Sequence, residues 1–142
     1  MANLQRALEI AIEGHKGQQQ KNGLPYVLHP LRLMLAASST EAKIVAVLHD
    51  VIEDTNWTLE ALKAEGFSQS ILTAIGCLTH RDGEEYDAYI ERLIDNEIAR
   101  EVKLMDLKDN MDIRRIPELK ESDLKRLQKY HRARSRLTNY EA

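Results

Sequence analysis

Residues 44–54 read IVAVLHDVIED, and this stretch decides the fold. Its first five residues are all apolar, which is typical of a helix buried in a protein core. His49 and Asp50 follow directly, and Glu53 and Asp54 come one helical turn later, with no lysine or arginine in the stretch. Carboxylates crowded beside a buried helix repel one another and resist desolvation unless a cation neutralises them. The stretch therefore predicts a divalent metal site inside a helical protein.

The spacing of these four polar residues predicts that they face one side. His49 and Glu53 are four residues apart, as are Asp50 and Asp54. Side chains four apart lie one above the other on the same face of a helix. A solvated acidic face is the ordinary alternative for such a cluster, but the apolar run just before it argues against that interpretation.

A second helical segment, EVKLMDLKDNMDI at residues 101–113, also places charged residues among apolar residues that are expected to be buried. Lys103, Asp106 and Asn110 form one polar stripe between two apolar arcs, which is the pattern of a helix that lines a pocket. Asp106 is therefore expected to face inward. His29, just before a helix-opening proline, would complete a set of two imidazoles and two carboxylates. Such mixed ligation suits Mn²⁺, Fe²⁺ or Zn²⁺.

The rest of the chain also has helical spacing, and six to eight helices are predicted. The expected fold is all-α, a single-domain helical bundle over residues 1–142. Its motif-bearing part covers about residues 7–116, and a basic C-terminal helix covers about residues 122–140. Thr58 and Ser68 are predicted to cap the starts of two short helices.

Composition excludes several classes of function. The formal net charge of -3 argues against a general nucleic-acid binder. Cys77 is the only cysteine, so neither an internal disulfide nor a thiolate zinc cluster can form, and a reducing compartment fits. No run of about 18 apolar residues indicates a membrane span, and no signal peptide is expected at the start. We expect a soluble cytoplasmic protein that binds a small molecule, with its oligomeric state left open.

Three stretches together resemble a known family. HKGQQQKNGLPYVLHP (15–30), AVLHDVIEDT (46–55) and VKLMDLKDNM (102–111) resemble the HD-domain phosphohydrolases. More narrowly, they resemble the hydrolase domain of the RelA/SpoT alarmone enzymes and the small stand-alone alarmone hydrolases. The resemblance implies an HD-type helical fold, bound Mn²⁺ and removal of the 3′-pyrophosphate from guanosine tetra- or pentaphosphate. The synthetase and regulatory domains of the long enzymes are expected to be absent.

The resemblance also implies roles for individual residues. The implied metal ligands are His29, His49, Asp50 and Asp106. Glu53 and Asp54 match the acidic pair that orients and deprotonates the attacking water. Asn110 matches an asparagine that contacts substrate, and Lys21 and Lys103 are candidate cations for the phosphoryl groups.

Two departures from the family pattern leave the substrate open. Gln20 stands where the family commonly has an arginine that helps to hold the base, and Glu13-Gly14 stand where some members carry basic residues. An HD-type phosphohydrolase acting on another nucleotide, such as an adenosine alarmone or a nucleoside phosphate, is therefore the main alternative. A non-catalytic nucleotide- or metal-sensing module is the other. Degenerate members of that kind should lose a ligand or the Glu-Asp pair, and this chain retains both.

Overall fold

The computed structural model describes residues 2–140 of the chain, and the predicted all-α class is confirmed. Those residues contain nine α-helices, one 3₁₀ turn and no strand beyond an isolated bridge between Gln19 and Pro25. In chain order the elements are α1 (Leu4–Gly14), α2 (Leu28–Ala36), α3 (Thr40–Leu48), α4 (Val51–Asp54), α5 (Leu59–Glu65), α6 (Gln69–Leu78), α7 (Tyr86–Leu93), α8 (Glu97–Asn110), the 3₁₀ turn (Ile113–Arg115) and α9 (Glu121–Thr138).

The short helices α5 and α6 start where the sequence predicts. The Thr58 hydroxyl accepts a hydrogen bond from Ala61 N at 3.1 Å, and the Ser68 hydroxyl accepts one from Ile71 N at 3.3 Å. Gly66 ends α5 in the left-handed conformation, with φ of 100°. These contacts satisfy backbone groups that the first and last turns leave without helical partners.

Two predicted helices differ from those in the structure. The predicted helix through residues 44–54 is interrupted at His49-Asp50, which separates α3 from the single turn α4. The helical segment predicted over residues 101–113 ends at Asn110. The Asp112 carboxylate accepts from Arg114 N at 3.2 Å and caps a 3₁₀ turn instead, so a local side-chain contact competes with helix continuation.

Helix α3 lies at the centre of the bundle. It packs against α1, α2, α6 and α8. Ile44 is 5% exposed and the next four residues, Val45 to Leu48, are fully buried, as expected for a helix that is apolar all round. The surrounding helices bring the start of α2 and the middle of α8 to the carboxyl end of α3. The polar residues that follow α3 therefore lie inside the bundle.

No helix between residues 2 and 140 combines the length and the apolar character that crossing a bilayer requires. The division of residues 1–142 into one domain stays a prediction, and residues 1, 141 and 142 lie outside the described range.

Candidate metal centre

Four side chains from three parts of the chain meet at the end of α3. One donor atom each from His29, His49 and Asp50 lies within 4.8 Å of the others. Asp106 Oδ1 lies 2.8 Å from His29 Nε2 and 3.5 Å from His49 Nε2. Both histidines and Asp106 are at most 5% exposed, and Asp50 is intermediate. The structure thus brings together all four predicted ligands, although their role as ligands stays a prediction.

The orientation of the two imidazoles suits a metal ion. His49 Nδ1 donates to Ala46 O at 2.6 Å, and His29 Nδ1 donates to Asp109 Oδ2 at 2.6 Å. Each ring therefore turns Nε2 toward the carboxylates. His49 Nε2 lies 3.0 Å from Asp50 Oδ2, yet among residues 2–140 it has no hydrogen-bond partner of acceptable geometry. A buried nitrogen of this kind, aimed at carboxylate oxygens, fits a divalent ion.

The charges in this cluster perturb one another strongly. Burial alone would raise the pKa of Asp50, but the neighbouring His49 outweighs burial and lowers it to about 2. Burial would likewise lower the pKa of His49, whereas Asp50 and Asp106 raise it well above its ordinary value. Without an ion, the carboxylates thus draw protons onto the imidazoles. Clustered titratable groups with opposed shifts are typical of functional sites.

Glu53 and Asp54 lie on α4, just beyond the four clustered residues. Both are exposed residues, so water reaches them. Glu53 Oε1 accepts a hydrogen bond from His80 N at 2.5 Å, which leaves its second oxygen available. Burial and the charge of Asp50 raise the pKa of both carboxyls. Raised basicity and access to water are the properties that a proton acceptor needs.

Lys103, a predicted substrate contact, lies instead inside the protein. Its side chain is 11% exposed, and its Nζ lies 2.8 Å from Asp106 Oδ2. The same nitrogen lies 5.0 Å from the centre of the Tyr89 ring. The geometry favours a role in holding Asp106, and contact with substrate stays a prediction.

Lys21 and Asn110 border a cavity of about 240 Å³ beside the four-residue cluster. His29 belongs to the wall of this cavity and connects it to the cluster. Asn110 Nδ2 donates to Asp106 Oδ1 at 3.0 Å, and Lys21 is half exposed and pairs with Asp123. The cavity is lined by Gln19, Gln20, Lys21, Tyr26, His29, Arg32, Asp109, Asn110, Asp112, Arg115, Ile116, Asp123, Arg126, Leu127 and Tyr130.

Comparison with known proteins identifies the family of this chain. The guanosine-3′,5′-bis(diphosphate) 3′-pyrophosphohydrolase of Aquifex aeolicus is 34% identical over 119 residues, which is 77% of this chain and 17% of that protein. The protein of the same name from Borreliella burgdorferi is 40% identical over 78 residues, which is 52% of this chain and 12% of that protein. The chain belongs to the RelA/SpoT-type hydrolase-domain family. No protein-family model matches it.

A solved structure supports the fold of the domain. The structure, described as that of a metazoan ortholog of SpoT that hydrolyzes ppGpp, superposes with a TM-score of 0.74. It is 21% identical, and the match covers 94% of this chain and 84% of that one. The HD-type helical bundle is therefore confirmed as the fold. The chain spans less than a fifth of the length of the two bacterial relatives.

Sequence reasoning missed three residues that support the predicted ligands. The Tyr26 hydroxyl donates to Asp50 Oδ2. Asp109 accepts from His29, and Arg32 donates to both oxygens of Asp109, from Nε at 2.8 Å and from Nη2 at 2.9 Å. The available signal was spacing, because Asp109 follows Asp106 by three residues and Arg32 follows His29 by three.

Proposed function

We propose that this chain is a metal-dependent phosphohydrolase that removes the 3′-pyrophosphate from (p)ppGpp-like alarmone nucleotides. The observation that carries the proposal is the convergence of His29, His49, Asp50 and Asp106 on one buried point, with Glu53 and Asp54 beside it. The names of the bacterial relatives support the substrate class.

The four clustered residues would hold the ion, with Mn²⁺ as the proposed metal. Two imidazole nitrogens and two carboxylate oxygens suit Mn²⁺, Fe²⁺ and Zn²⁺, and fewer than six protein ligands leave room for water and substrate oxygens. A bound divalent ion supplies water acidified toward neutral pH and offsets the negative charge of phosphoryl oxygens.

Glu53 and Asp54 would orient the attacking water and accept the proton that it loses. In hydrolysis, water oxygen bonds to the phosphorus on the ribose 3′ oxygen, and the bond between that phosphorus and the 3′ oxygen breaks. One water proton passes to the free carboxylate oxygen of Glu53. The 3′ oxygen leaves as a hydroxyl by taking up a proton from solvent, to which Glu53 later releases the proton that it accepted. Asp54 carries a second carboxylate beside the first and would orient the water.

The adjacent cavity would hold the nucleoside. Its wall combines the flat apolar surfaces of Tyr26 and Tyr130 with the cationic groups of Lys21, Arg115 and Arg126. Aromatic faces suit a base, and cations suit phosphates. Because His29 belongs to the same wall, a nucleotide bound there would have its phosphates beside the proposed ion.

A second candidate keeps the chemistry and changes the nucleotide. Gln20 lies in the cavity wall, where its side-chain oxygen accepts from Arg32 Nη2 at 2.6 Å. A neutral amide here, in place of the arginine common in the family, alters the contacts offered to a base. An adenosine alarmone or a nucleoside phosphate is therefore the alternative substrate.

A product-resolved assay tests both candidates. The purified protein is stripped of metal, reloaded with Mn²⁺ and mixed separately with guanosine alarmones, adenosine alarmones, ordinary nucleotides and dinucleotides. Pyrophosphate release from a guanosine alarmone, absent in the Asp106→Asn variant, is expected. Release of inorganic phosphate alone, or turnover that persists in Asp106→Asn, would overturn the proposal. Preference for an adenosine alarmone would select the second candidate.

A further inference from the structure

Asp109 forms a chain of charged contacts that reaches the four-residue cluster from outside. His29 Nδ1 lies 2.6 Å from Asp109 Oδ2, and Arg32 contacts both Asp109 oxygens. His29 and Arg32 lie on α2, whereas Asp109 lies in the last turn of α8. The contacts therefore tie together the two helices that supply His29 and Asp106.

An ionised carboxylate can only accept hydrogen bonds. The Nδ1 atom of His29 must therefore carry the hydrogen in this contact, so Nε2 is the nitrogen left for a metal. Arg32 donates to both oxygens of Asp109, which is the arrangement of an ionised carboxylate. Asp109 therefore acts as an acceptor toward His29.

The two-pronged contact from Arg32 restricts how Asp109 can move. A planar guanidinium that meets both oxygens of a carboxylate fixes its orientation as well as its charge. Arg115 adds a third cationic contact, 3.2 Å from Asp109 Oδ2. Asp109, whose side chain is 13% exposed, is therefore fixed in position and can in turn orient the His29 ring.

We infer that Asp109 is a positioning residue that fixes the orientation and tautomer of His29 for metal binding, with Arg32 as its anchor. The inference rests on the proposed metal site and goes beyond it, because Asp109 itself supplies no donor atom to the ion. The contacts that link Arg32 to Asp109 and Asp109 to His29 would then serve the metal site in addition to joining α2 to α8. Partners that orient a histidine ligand in this way typically strengthen metal binding about 10- to 100-fold.

The test compares Asp109→Asn with Asp112→Asn. Both variants remove one negative charge from the same cavity wall and one partner of Arg115, but Asp112 does not contact His29. Mn²⁺ affinity is measured from the free-ion electron paramagnetic resonance signal, and thermal unfolding in a chelator shows whether each variant is folded. We expect affinity to fall about 10- to 100-fold in Asp109→Asn and less than threefold in Asp112→Asn.

A second readout separates positioning from packing. Ring ¹⁵N shifts of His29, recorded with the diamagnetic ion Zn²⁺ in place of Mn²⁺, report which nitrogen carries hydrogen. They should show protonated Nδ1 in the wild type and in Asp112→Asn, and a changed signature in Asp109→Asn. Should Asp109→Asn not fold, Arg32→Lys takes its place, with an expected three- to tenfold loss of affinity because lysine cannot form the paired contact.

Three outcomes would overturn the inference, and they differ from one another. Affinity within threefold of the wild type in Asp109→Asn, or in Arg32→Lys where it replaces that variant, would remove the positioning role and leave the proposed function intact. Equal losses in Asp109→Asn and Asp112→Asn would attribute the effect to general charge. A wild-type protein that takes up no Mn²⁺ would end both the inference and the proposed metal centre.

Discussion

Lys103 and Asp106 form an ion pair one helical turn apart on α8, and both residues are buried. Burial would raise the pKa of Asp106, but Lys103 and the two histidines hold it well below its ordinary value. The carboxylate that approaches both imidazoles is therefore kept ionised by a cation on its own helix. This pair explains how a negative charge is tolerated in the core before any metal binds.

Replacing Lys103 with methionine should reveal this dependence. The change leaves Asp106 buried without its cation, and breaking a buried pair from one side typically costs about 3–5 kcal/mol. We expect a loss of that size in the free energy of unfolding, measured with urea in a chelator, and a smaller loss with saturating Mn²⁺. Lys108→Met, at an exposed position on the same helix, is the matched control. Equal stabilities for the two variants would refute the structural role of Lys103 and leave substrate contact as its remaining predicted role.

Replacing Glu53 with glutamine should separate metal binding from turnover. Glutamine can still accept the hydrogen bond from His80 N, but it cannot take a proton from water. We expect kcat to fall about 10²- to 10⁴-fold while Mn²⁺ affinity changes less than threefold. Steady-state kinetics and metal titration of the same preparation measure the two effects. Glu60→Gln changes an exposed glutamate on α5 and should leave both values near those of the wild type. Full activity in Glu53→Gln would assign the proton to another group.

The sequence was sufficient to predict the helical class and the convergence of the four clustered residues, because both depend on strong local signals. An apolar helix followed by His49-Asp50 has to be buried, and a polar stripe containing Asp106 has to face a site. His29 was added because it completes a set of two imidazoles and two carboxylates that suits a divalent ion, and the family resemblance implied the same role.

Contacts that depend on how the helices pack were beyond prediction from the sequence. Lys103 pairs with Asp106 and does not extend into solvent because α8 is buried there, and helical spacing does not specify how deeply a helix is buried. The contact of Asp109 with His29 depends on the packing of α2 against α8. The break after Leu48 and the end of α8 at Asn110 were missed because side-chain and packing interactions there override helical periodicity.

Acid should weaken the attachment of α9 to the rest of the bundle through Asp123. Lys21 contributes most to lowering the pKa of Asp123 to about 2, and Lys120 N, at 2.9 Å, and Arg126 contribute further. A carboxyl whose pKa is lowered by folding stabilises the protein at pH values above its pKa in the unfolded chain, which is 3.8 for Asp123. That contribution is lost as the pH falls through about 2, the pKa in the folded protein.

The expected result is a pH-dependent difference between the wild type and Asp123→Asn. The wild type should be more stable by a constant amount above about pH 5, and the difference should shrink between about pH 4 and pH 2. Urea unfolding curves collected at half-unit pH steps measure it. A difference that stays constant down to pH 2 would show that the ion pairs of Asp123 contribute nothing to folding.

Two glycine-to-alanine changes should have opposite effects on stability. Gly66 has a φ of 100°, where an L-residue with a β-carbon is strained by about 1–2 kcal/mol, so Gly66→Ala should destabilise the protein by that amount. Gly76 lies within α6, and an added β-carbon would lie 3.5 Å from Leu59 Cδ1, an ordinary contact. Gly76→Ala should therefore raise the free energy of unfolding by about 0.5–1 kcal/mol, because alanine restricts the unfolded chain and favours the helix. Chemical denaturation of both variants measures the two signs, and a stabilising Gly66→Ala would contradict the left-handed end assigned to α5.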